Sequence, residues 1–238
     1  MYKGQSIAVI LPALNEGGKI GRAVSRIPRP LVDDVVVVDD GSSDTTAAEA
    51  EAAGARVLRH ATNRGVGAAI RTGIEWAQEQ SIALTGIMAG DDQDDPNELV
   101  RLAEAIVDGG CQFVQGSRYL PHGRRLNQPL SRTLMTRGYS VLFSIVTLRR
   151  ITDATNGFKL FRTEICREWA LEQPWLDRYE LEPYLLYQAI RRGCNVAEVP
   201  VTKYYPPDRS VGYTKMKAYR DWWRIVRPML LLTVRIKH

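Results

Sequence analysis

Four short strand-like runs, each followed by a helical pattern after a brief connection, most constrain the fold of this 238-residue chain. They cover residues 6–11, 34–39, 55–59 and 82–88, and the second contains four consecutive valines. Continuous apolar runs such as the second and the fourth are typical of strands buried on both faces of a parallel sheet. The alternation therefore predicts an α/β fold, with a doubly wound, mostly parallel sheet and helices on both faces.

The densest group of acidic side chains directly follows the fourth run. Residues 88–96 read Met-Ala-Gly-Asp-Asp-Gln-Asp-Asp-Pro, and Pro96 can open the next helix. The acids therefore lie at the carboxyl end of a strand, where open α/β sheets bind ligands. Four carboxylates this close repel one another, and a hard divalent cation with oxygen ligands would relieve the repulsion. The alternative interpretation is a solvated turn rich in aspartate.

Polar side chains also follow the first two runs. Residues 12–16 read Pro-Ala-Leu-Asn-Glu and form a turn into a helix that ends at Ile27, while residues 39–44 read Asp-Asp-Gly-Ser-Ser-Asp. Two adjacent acids, Asp39 and Asp40, indicate ligand binding, because a carboxylate can accept two donors from a nucleobase edge or a ribose diol. The alternative is an N-terminal cap of the following helix, for which a serine would serve equally well.

Charge and composition limit the class of protein and its partners. The net charge is +5, and residues 109–152 contain no acid but seven arginines, which indicates an anionic partner: nucleic acid, a phosphorylated small molecule or an acidic membrane surface. The three cysteines lack zinc or disulfide spacing, which suits a reducing cytosol. We expect no signal peptide, and no run of about 20 apolar residues predicts a transmembrane helix.

Six motifs occur in an order that resembles a known family. They are residues 11–16, 38–44 and 63–65, the block 91–96, residues 116–119 and residues 155–159. Together they resemble the family 2 glycosyltransferases of the GT-A fold, and within them the dolichol-phosphate mannose synthase-like group, over residues 5–215. The resemblance implies a nucleotide-sugar donor, nearest to GDP-mannose with a UDP-hexose next, a divalent cation (Mg²⁺ or Mn²⁺) and inversion at the anomeric carbon.

The resemblance also implies roles for particular residues at the donor site. The residues that would bind the donor are Pro12, Leu14, Asn15, Glu16, Asp39, Asp40, Asn63 and Lys215, with Asp40 reading the base. Asp91 would act in catalysis and bind the metal together with Gln93. This sequence departs from the family pattern at Ala89, which stands where the first metal-binding aspartate is expected, so that Asp92 or Asp94 would have to substitute.

On the acceptor side, the resemblance implies a phosphate site and a loop. Arg118, Arg132 and Thr136 match the phosphate-binding positions of the lipid-phosphate branch, and an arginine fork suits phosphate oxygens. The alternative is a solvated basic helix over residues 130–148. Residues 204–215 resemble a mobile acceptor loop, in which Arg209 and Lys215 would close over the diphosphate.

The C-terminal stretch, residues 213–238, is predicted to be an amphipathic helix that extends a GT-A domain at residues 1–212. Its tryptophans beside arginines suit a membrane interface, and the alternative is a helix packed on its own domain.

These observations predict a metal-dependent inverting enzyme that moves a hexose from a nucleotide-sugar to a polyprenyl phosphate at the cytoplasmic membrane face. A phosphate acceptor needs no general base, and the three histidines lie outside the motifs, although Asp94, Asp95, Asp153 or Glu182 could serve a hydroxyl acceptor. A soluble sugar or small-molecule acceptor and a non-catalytic nucleotide-sugar-binding protein remain alternatives. Nucleic acid is disfavoured because the basic residues adjoin an acidic pocket. The sequence leaves the oligomeric state open.

Overall fold

A computed structural model describes residues 1–206, in which nine strands and six α-helices form the regular structure. The strands are β1 Ile7–Ala13, β2 Asp34–Asp39, β3 Arg56–Arg59, β4 Leu84–Ile87, β5 Phe113–Ser117, β6 Arg124–Leu126, β7 Lys159–Arg162, β8 Val196–Pro200 and β9 Thr202–Tyr204. Seven of them form one sheet in the order β3-β2-β1-β4-β7-β5-β8. Within this sheet β7 runs antiparallel to its neighbours and the other pairs are parallel, which confirms the predicted mostly parallel sheet.

The helices cover both faces of this large sheet. They are α1 Ile20–Ser25, α2 Thr46–Ala52, α3 Val66–Glu79, α4 Leu99–Val107, α5 Leu130–Thr147 and α6 Leu181–Arg191. Successive side chains of a strand point to opposite faces, and β1 shows the result. Val9 and Leu11 belong to the same buried cluster as Ile20 of α1, whereas Ile10 packs with Ala69 of α3. The prediction of helices on both faces is therefore confirmed.

The helix predicted after the first strand is shorter than expected. β1 continues to Ala13, and α1 begins only at Ile20. The loop between them includes Asn15 and Gly18, whose φ angles are 49° and 77°. A left-handed backbone conformation cannot continue a right-handed helix, so the loop stays irregular until Ile20.

Three adjacent strands bring the polar turns together. β2, β1 and β4 are neighbours and run parallel, so the segments that follow them emerge at the same edge of the sheet. These segments contain the acids singled out in the sequence. The edge is thus the place where a parallel α/β sheet binds its ligands. Among residues 1–206, every helix is too short or too polar to span a membrane.

A second, small sheet adds another wall to this edge. β9 follows β8 almost directly and pairs in parallel with β6, from the acid-free segment. On its other side β9 contacts the acidic turn, where Asp94 and Lys203 form an isolated antiparallel bridge. β9 therefore links the acidic turn to the basic part of the chain.

Candidate functional site

The loop after β1 is fixed by several hydrogen bonds to the turn after β2 and to the start of α2. The main-chain N–H of Asn15 donates to the Ser42 hydroxyl (2.8 Å), and the N–H of Ser43 donates to the Asn15 side-chain oxygen (3.0 Å). The N–H of Glu16 donates to the Thr46 hydroxyl (2.8 Å). The structure thus brings the predicted donor-binding residues of both segments together, with Pro12 and Leu14 half-buried beside them.

Asp39 and Asp40 differ in how their carboxylates are used. Both are buried, but Asp40 accepts hydrogen bonds at both oxygens, from the main-chain N–H groups of Arg64 (2.9 Å) and Gly65 (2.7 Å). Asp39 accepts one bond, from the N–H of Ser42 (2.9 Å). Its second oxygen lies 3.0 Å from Nε of Arg59 but makes no hydrogen bond with residues 1–206. Asp39 thus has one oxygen that is ion-paired with Arg59 without a hydrogen bond, whereas Asp40 holds the turn at Arg64.

His60 contacts this site, although the sequence placed it at the periphery. It is buried, with Nδ1 2.7 Å from the Asp40 carboxylate and Nε2 3.0 Å from the Thr72 hydroxyl. The sequence could have indicated this contact, because His60 directly follows β3 and the carboxyl ends of neighbouring parallel strands lie at the same edge of the sheet. Asn63 is exposed, and its backbone packs closely against Gly41, whose φ is 77°.

In the acidic turn, most carboxylates are already engaged by the protein. Asp92 forms ion pairs with Arg22 (3.2 Å), which lies in α1, and with Arg26 (2.8 Å), which directly follows it. Asp95 caps the short 3₁₀-helix Pro96–Glu98 by accepting from the N–H of Asn97. Asp95 therefore serves as a helix cap, and Asp92 is paired with two cations.

Asp94 is buried and paired with a lysine from a distant part of the chain. The Lys203 ammonium lies 2.9 Å and 3.0 Å from the two Asp94 oxygens, and both side chains are almost completely buried. Burial lowers the pKa of Lys203, but the carboxylates of Asp94 and Asp91 outweigh it and raise that pKa above its ordinary value. Lys203 is therefore a permanent cation inside the acidic turn. The sequence analysis did not identify it, because 109 residues separate the two partners.

Asp91 is the remaining carboxylate of the turn, and its environment favours a cation. Burial raises its pKa, and the nearby Asp94 and Glu16 carboxylates raise it further, against the opposing effect of Lys203. It accepts a hydrogen bond from the N–H of Gln93 (3.2 Å). A divalent cation would offset the repulsion around Asp91.

The protein alone offers few metal ligands here. Residues 1–206 contain no group of three acidic, histidine or cysteine side chains placed to hold a metal ion. Ala89 has no donor, and Asp92 and Asp94, the expected substitutes, are paired with protein cations. Mg²⁺ is commonly held by one or two carboxylates together with substrate phosphates. Asp91 and Gln93 therefore fit a cation whose other ligands come from a bound diphosphate and water.

Arg118 is buried and fully engaged. Its guanidinium binds Asp153 through Nε (2.7 Å) and Nη2 (2.8 Å), and it also donates to the hydroxyls of Thr155 (2.8 Å) and Tyr205 (2.6 Å). Burial lowers the pKa of Arg118, and the Asp153 carboxylate more than reverses that effect. In this conformation Arg118 orders the site, and Asp153 is held as its counter-ion rather than free to act as a base.

The other two predicted phosphate-binding residues lie close to Arg118. The Arg132 guanidinium stacks 5.1 Å from the Tyr205 ring centroid. Thr136 is buried, and its hydroxyl bonds the Arg132 carbonyl (2.9 Å) and the Tyr119 hydroxyl. The Tyr119 ring is in turn flanked by several guanidinium groups, those of Arg118, Arg125 and Arg137. The structure thus gathers the arginines around two tyrosines that the sequence analysis did not select.

Some predicted features lie outside residues 1–206, and Glu182 is placed by α6. Arg209, Lys215 and the predicted helix 213–238 are outside the described part of the chain, as is the boundary at residue 212. Glu182 lies in the first turn of α6, and its main-chain carbonyl accepts from Lys159 (3.4 Å).

Comparisons with known proteins agree with this architecture. Residues 8–169 match the family described as glycosyl transferase family 2. The polyprenol monophosphomannose synthase of Mycolicibacterium smegmatis is 31% identical over 89% of this chain and 81% of its own. The undecaprenyl-phosphate mannosyltransferase of Micrococcus luteus is 29% identical over 88% of this chain and 87% of its own.

A solved structure supports the fold. Glucosyl-3-phosphoglycerate synthase from Mycobacterium tuberculosis, in complex with Mn²⁺ and UDP-glucose, superposes with a TM-score of 0.75 at 21% identity. The match covers 99% of this chain and 81% of that one. The predicted GT-A architecture is therefore confirmed, and the enzyme class follows from the family match. The chain belongs to glycosyl transferase family 2, with the dolichol-phosphate mannose synthase-like proteins among its relatives, and it is a glycosyltransferase.

Proposed function

We propose that this enzyme moves a hexose from a nucleotide-sugar to a polyprenyl phosphate at the cytoplasmic membrane face, with inversion at the anomeric carbon. The observation that carries the lipid part is the unusual orientation of α5. Its solvent-facing side is apolar, it begins beside the arginine cluster, and the two relatives described above are named for polyprenyl-phosphate chemistry.

The donor would bind at the edge formed by β2, β1 and β4. The Asp39 oxygen that makes no hydrogen bond within residues 1–206 would accept from the base or ribose, and the loop at residues 12–16 would pack on the nucleoside. Asp40, with His60, would fix the turn at Arg64 that borders this position. GDP-mannose is the first candidate because of the mannosyltransferase relatives, and UDP-glucose is the second because of the structural neighbour.

A divalent cation, Mg²⁺ or Mn²⁺, would be held by Asp91 and Gln93 together with the donor. When bound, it supplies a Lewis acid for the departing diphosphate. The structural neighbours contain Mn²⁺ or Mg²⁺ with UDP, which supports this choice of ions. The residues of this chain would contribute orientation and charge: Asp91 by anchoring, and the cations Lys203 and Arg132 by stabilising negative charge.

The acceptor is proposed to be a phosphate because the site offers cations but few free bases. Of the four candidate bases, Asp94, Asp95 and Asp153 are each engaged by other residues in this conformation, which leaves Glu182 as the one candidate for taking a proton from a hydroxyl. A phosphate monoester is largely ionised at neutral pH, since its second pKa is about 6, and it can attack without a base.

The exposed face of α5 suits a lipid surface. Leu134, Val141, Ile145 and Leu148 recur at helical spacing and are 60–93% exposed. The buried face holds Tyr139 and Phe143, which pack in the apolar core, and hydroxyl groups such as those of Thr136 and Ser140, which bond back to carbonyls of their own helix. An exposed apolar row is unusual for a helix on a water-exposed surface, and a membrane interface would cover it.

A groove connects this face with the arginines. It has a volume of about 570 Å³ and is lined by Tyr119, Arg137, Ile145, Leu148 and Arg149, among others. Mixed apolar and cationic walls suit the junction between a phosphate and a hydrocarbon chain. A soluble phosphorylated acceptor is the second candidate, because the structural neighbour is named for such an acceptor and the same arginines would bind its phosphate.

The donor assignment is tested with thermal-shift measurements in Mn²⁺, using GDP-mannose, UDP-glucose and other nucleotide-sugars, followed by transfer to a short-chain prenyl phosphate. Binding raises the melting temperature, and we expect one nucleotide class to do so clearly. The same donor should yield a prenyl-phosphate hexose by mass spectrometry. Failure of every donor both to stabilise the protein and to react would contradict the proposal.

A further inference from the structure

Lys203 places a protein cation where the sequence led us to expect only carboxylates and a metal. Its ammonium contacts both oxygens of Asp94 and is close enough to Asp91 for the two charges to interact. Asp91, Asp94 and Lys203 together carry a net charge of −1. Because Ala89 contributes no carboxylate, this group is poorer in negative charge than a turn with two unpaired metal-binding aspartates.

The backbone holds this ammonium firmly in the acidic turn. The N–H of Tyr204 donates to the Gln93 carbonyl (2.8 Å), next to the bridge between Asp94 and Lys203. Further along, Thr202 donates its N–H (2.6 Å) and hydroxyl (3.0 Å) to the Glu98 carboxylate. β9 is thus attached to the acidic segment over three successive residues. Lys203 cannot leave the turn without breaking these bonds.

The ammonium also has unused donor capacity. It carries three N–H bonds, and its hydrogen-bond acceptors within residues 1–206 are the two oxygens of Asp94. Its charge is held in the turn by the ion pair with Asp94, at 2.9 Å and 3.0 Å from the two carboxylate oxygens. Such a fixed cation beside the single metal-binding carboxylate is suited to a bound diphosphate.

We propose that Lys203 is a resident cation of the donor site that acts on the diphosphate and keeps Asp94 from binding metal. In this arrangement Lys203 supplies part of the positive charge that the diphosphate needs. The site then takes a divalent cation through Asp91, mainly when the donor's phosphates are present. This inference rests on the proposed nucleotide-sugar donor and adds a residue to its binding site.

The test measures nucleoside diphosphate binding without metal. The double variant Asp94→Asn, Lys203→Met replaces the pair by neutral side chains of similar size, so that no buried charge is left alone. The control variant Lys3→Met, Asp108→Asn removes an exposed pair (2.6 Å) elsewhere. GDP and UDP are titrated into each protein in EDTA by calorimetry, and circular dichroism confirms folding. If the double variant does not fold, Lys203→Gln is compared with Lys203→Arg, which keeps the charge.

We expect the wild-type protein and the control to bind one of the two nucleotides in EDTA, and the double variant to bind it at least about 10-fold more weakly. Equal affinity of the folded double variant and the wild type would overturn the proposal. Wild-type binding that requires Mn²⁺ absolutely would also overturn it, while leaving the donor assignment intact. Binding of neither nucleotide, with or without Mn²⁺, would instead refute the donor assignment and this inference with it.

A second readout follows the metal itself. Free Mn²⁺ is titrated by electron paramagnetic resonance in the absence of nucleotide. Lys203→Gln should bind Mn²⁺ several-fold more tightly than the wild type, because it removes a nearby cation and releases the Asp94 carboxylate. Unchanged or weaker Mn²⁺ binding by this variant would contradict the role assigned to Lys203.

Discussion

At the scale of the residue, the acidic turn divides its carboxylates between structure and ligand binding. Asp92 is paired with arginines, Asp94 with Lys203, and Asp95 caps a helical turn. Within residues 1–206 Asp91 forms no comparable ion pair, and its pKa is raised by burial and by the carboxylates around it. The folded protein therefore holds this group in an unfavourable environment, as is common for functional carboxylates.

Asp91→Asn should lower the rate of transfer by about 100-fold or more, since it removes the charge that would anchor a cation at the diphosphate. Its melting temperature should not fall, because the ionised carboxylate is disfavoured in the folded state. Steady-state kinetics and thermal unfolding check both statements. Asp108→Asn, at an exposed position paired with Lys3, is the control and should keep its activity. Full activity of Asp91→Asn would contradict the site assignment.

Lys159 provides a prediction about pH and stability. It is buried in β7, and its ammonium donates to the Glu182 carbonyl at 3.4 Å. Burial lowers its pKa below the ordinary value of 10.5, although Glu182 and Asp153 act in the opposite sense. Lys159 therefore binds its proton more tightly in the unfolded chain than in the folded protein. As a consequence, its contribution to the free energy of unfolding increases as pH rises from the lowered pKa towards 10.5.

Lys159→Met should accordingly stabilise the protein at neutral pH, by roughly 1 kcal/mol or more, because it removes a poorly solvated charge. The difference from wild type should shrink as pH approaches 10.5. Urea unfolding at a series of pH values measures it, with Lys3→Met, at an exposed position, as the control. If the variant is less stable than wild type at neutral pH, the interactions of the buried ammonium stabilise the folded protein by more than its desolvation costs, which would contradict this prediction.

At the scale of the element, α5 is the helix whose surface least resembles that of a soluble protein. Its exposed side carries a row of leucine, valine and isoleucine. Its buried side includes hydroxyl groups that donate hydrogen bonds to main-chain carbonyls of the same helix. The sequence offered a solvated basic helix over residues 130–148 as the alternative to phosphate binding, but it could not show which side of the helix faces the protein. That choice depends on the polar cluster of Arg118 and Tyr119 beneath the helix, which forms only in the folded chain.

Replacing Leu134, Val141 and Ile145 together by serine should abolish binding to liposomes containing anionic lipid, while leaving the melting temperature within about 2 °C of wild type. The side chains are exposed, so little core packing is lost. Co-sedimentation with vesicles measures binding, and Val100→Ser, at a partly exposed position of α4, is the control. Undiminished vesicle binding by the triple variant would assign the membrane contact to another surface.

The elements differ in how far the sequence could predict them. β2 was predicted with its observed bounds, because its four consecutive valines are flanked by an acid on each side, which marks both ends of the buried strand. α1 was predicted too long, since the left-handed conformation of Asn15 is set by its contacts with the turn after β2. The pair of Lys203 and Asp94 could not be predicted, because local patterns carry no information about a contact across 109 residues.

At the scale of the whole molecule, the sheet edge and the small sheet place two chemically different regions side by side. The turns after β1, β2 and β4 bring Asp39 and Asp91 to one edge of the sheet, which suits a nucleotide and a cation. β9 then leads from the acidic turn to Tyr205, which lies beneath Arg132 and accepts from Arg118. The groove beside α5 continues from these arginines. This order of regions supports the proposed transfer from a diphosphate to a lipid phosphate.

The most direct test is a comparison of two acceptors that differ only in the phosphate. A short-chain prenyl phosphate and the matching prenol are each incubated with the enzyme, the preferred nucleotide-sugar and Mn²⁺, and kcat/KM is measured for both by chromatography of the labelled product. We predict a preference of at least about 100-fold for the phosphate, because it needs no general base and can be bound by the arginine cluster. Equal use of prenol and prenyl phosphate would contradict the proposed acceptor chemistry.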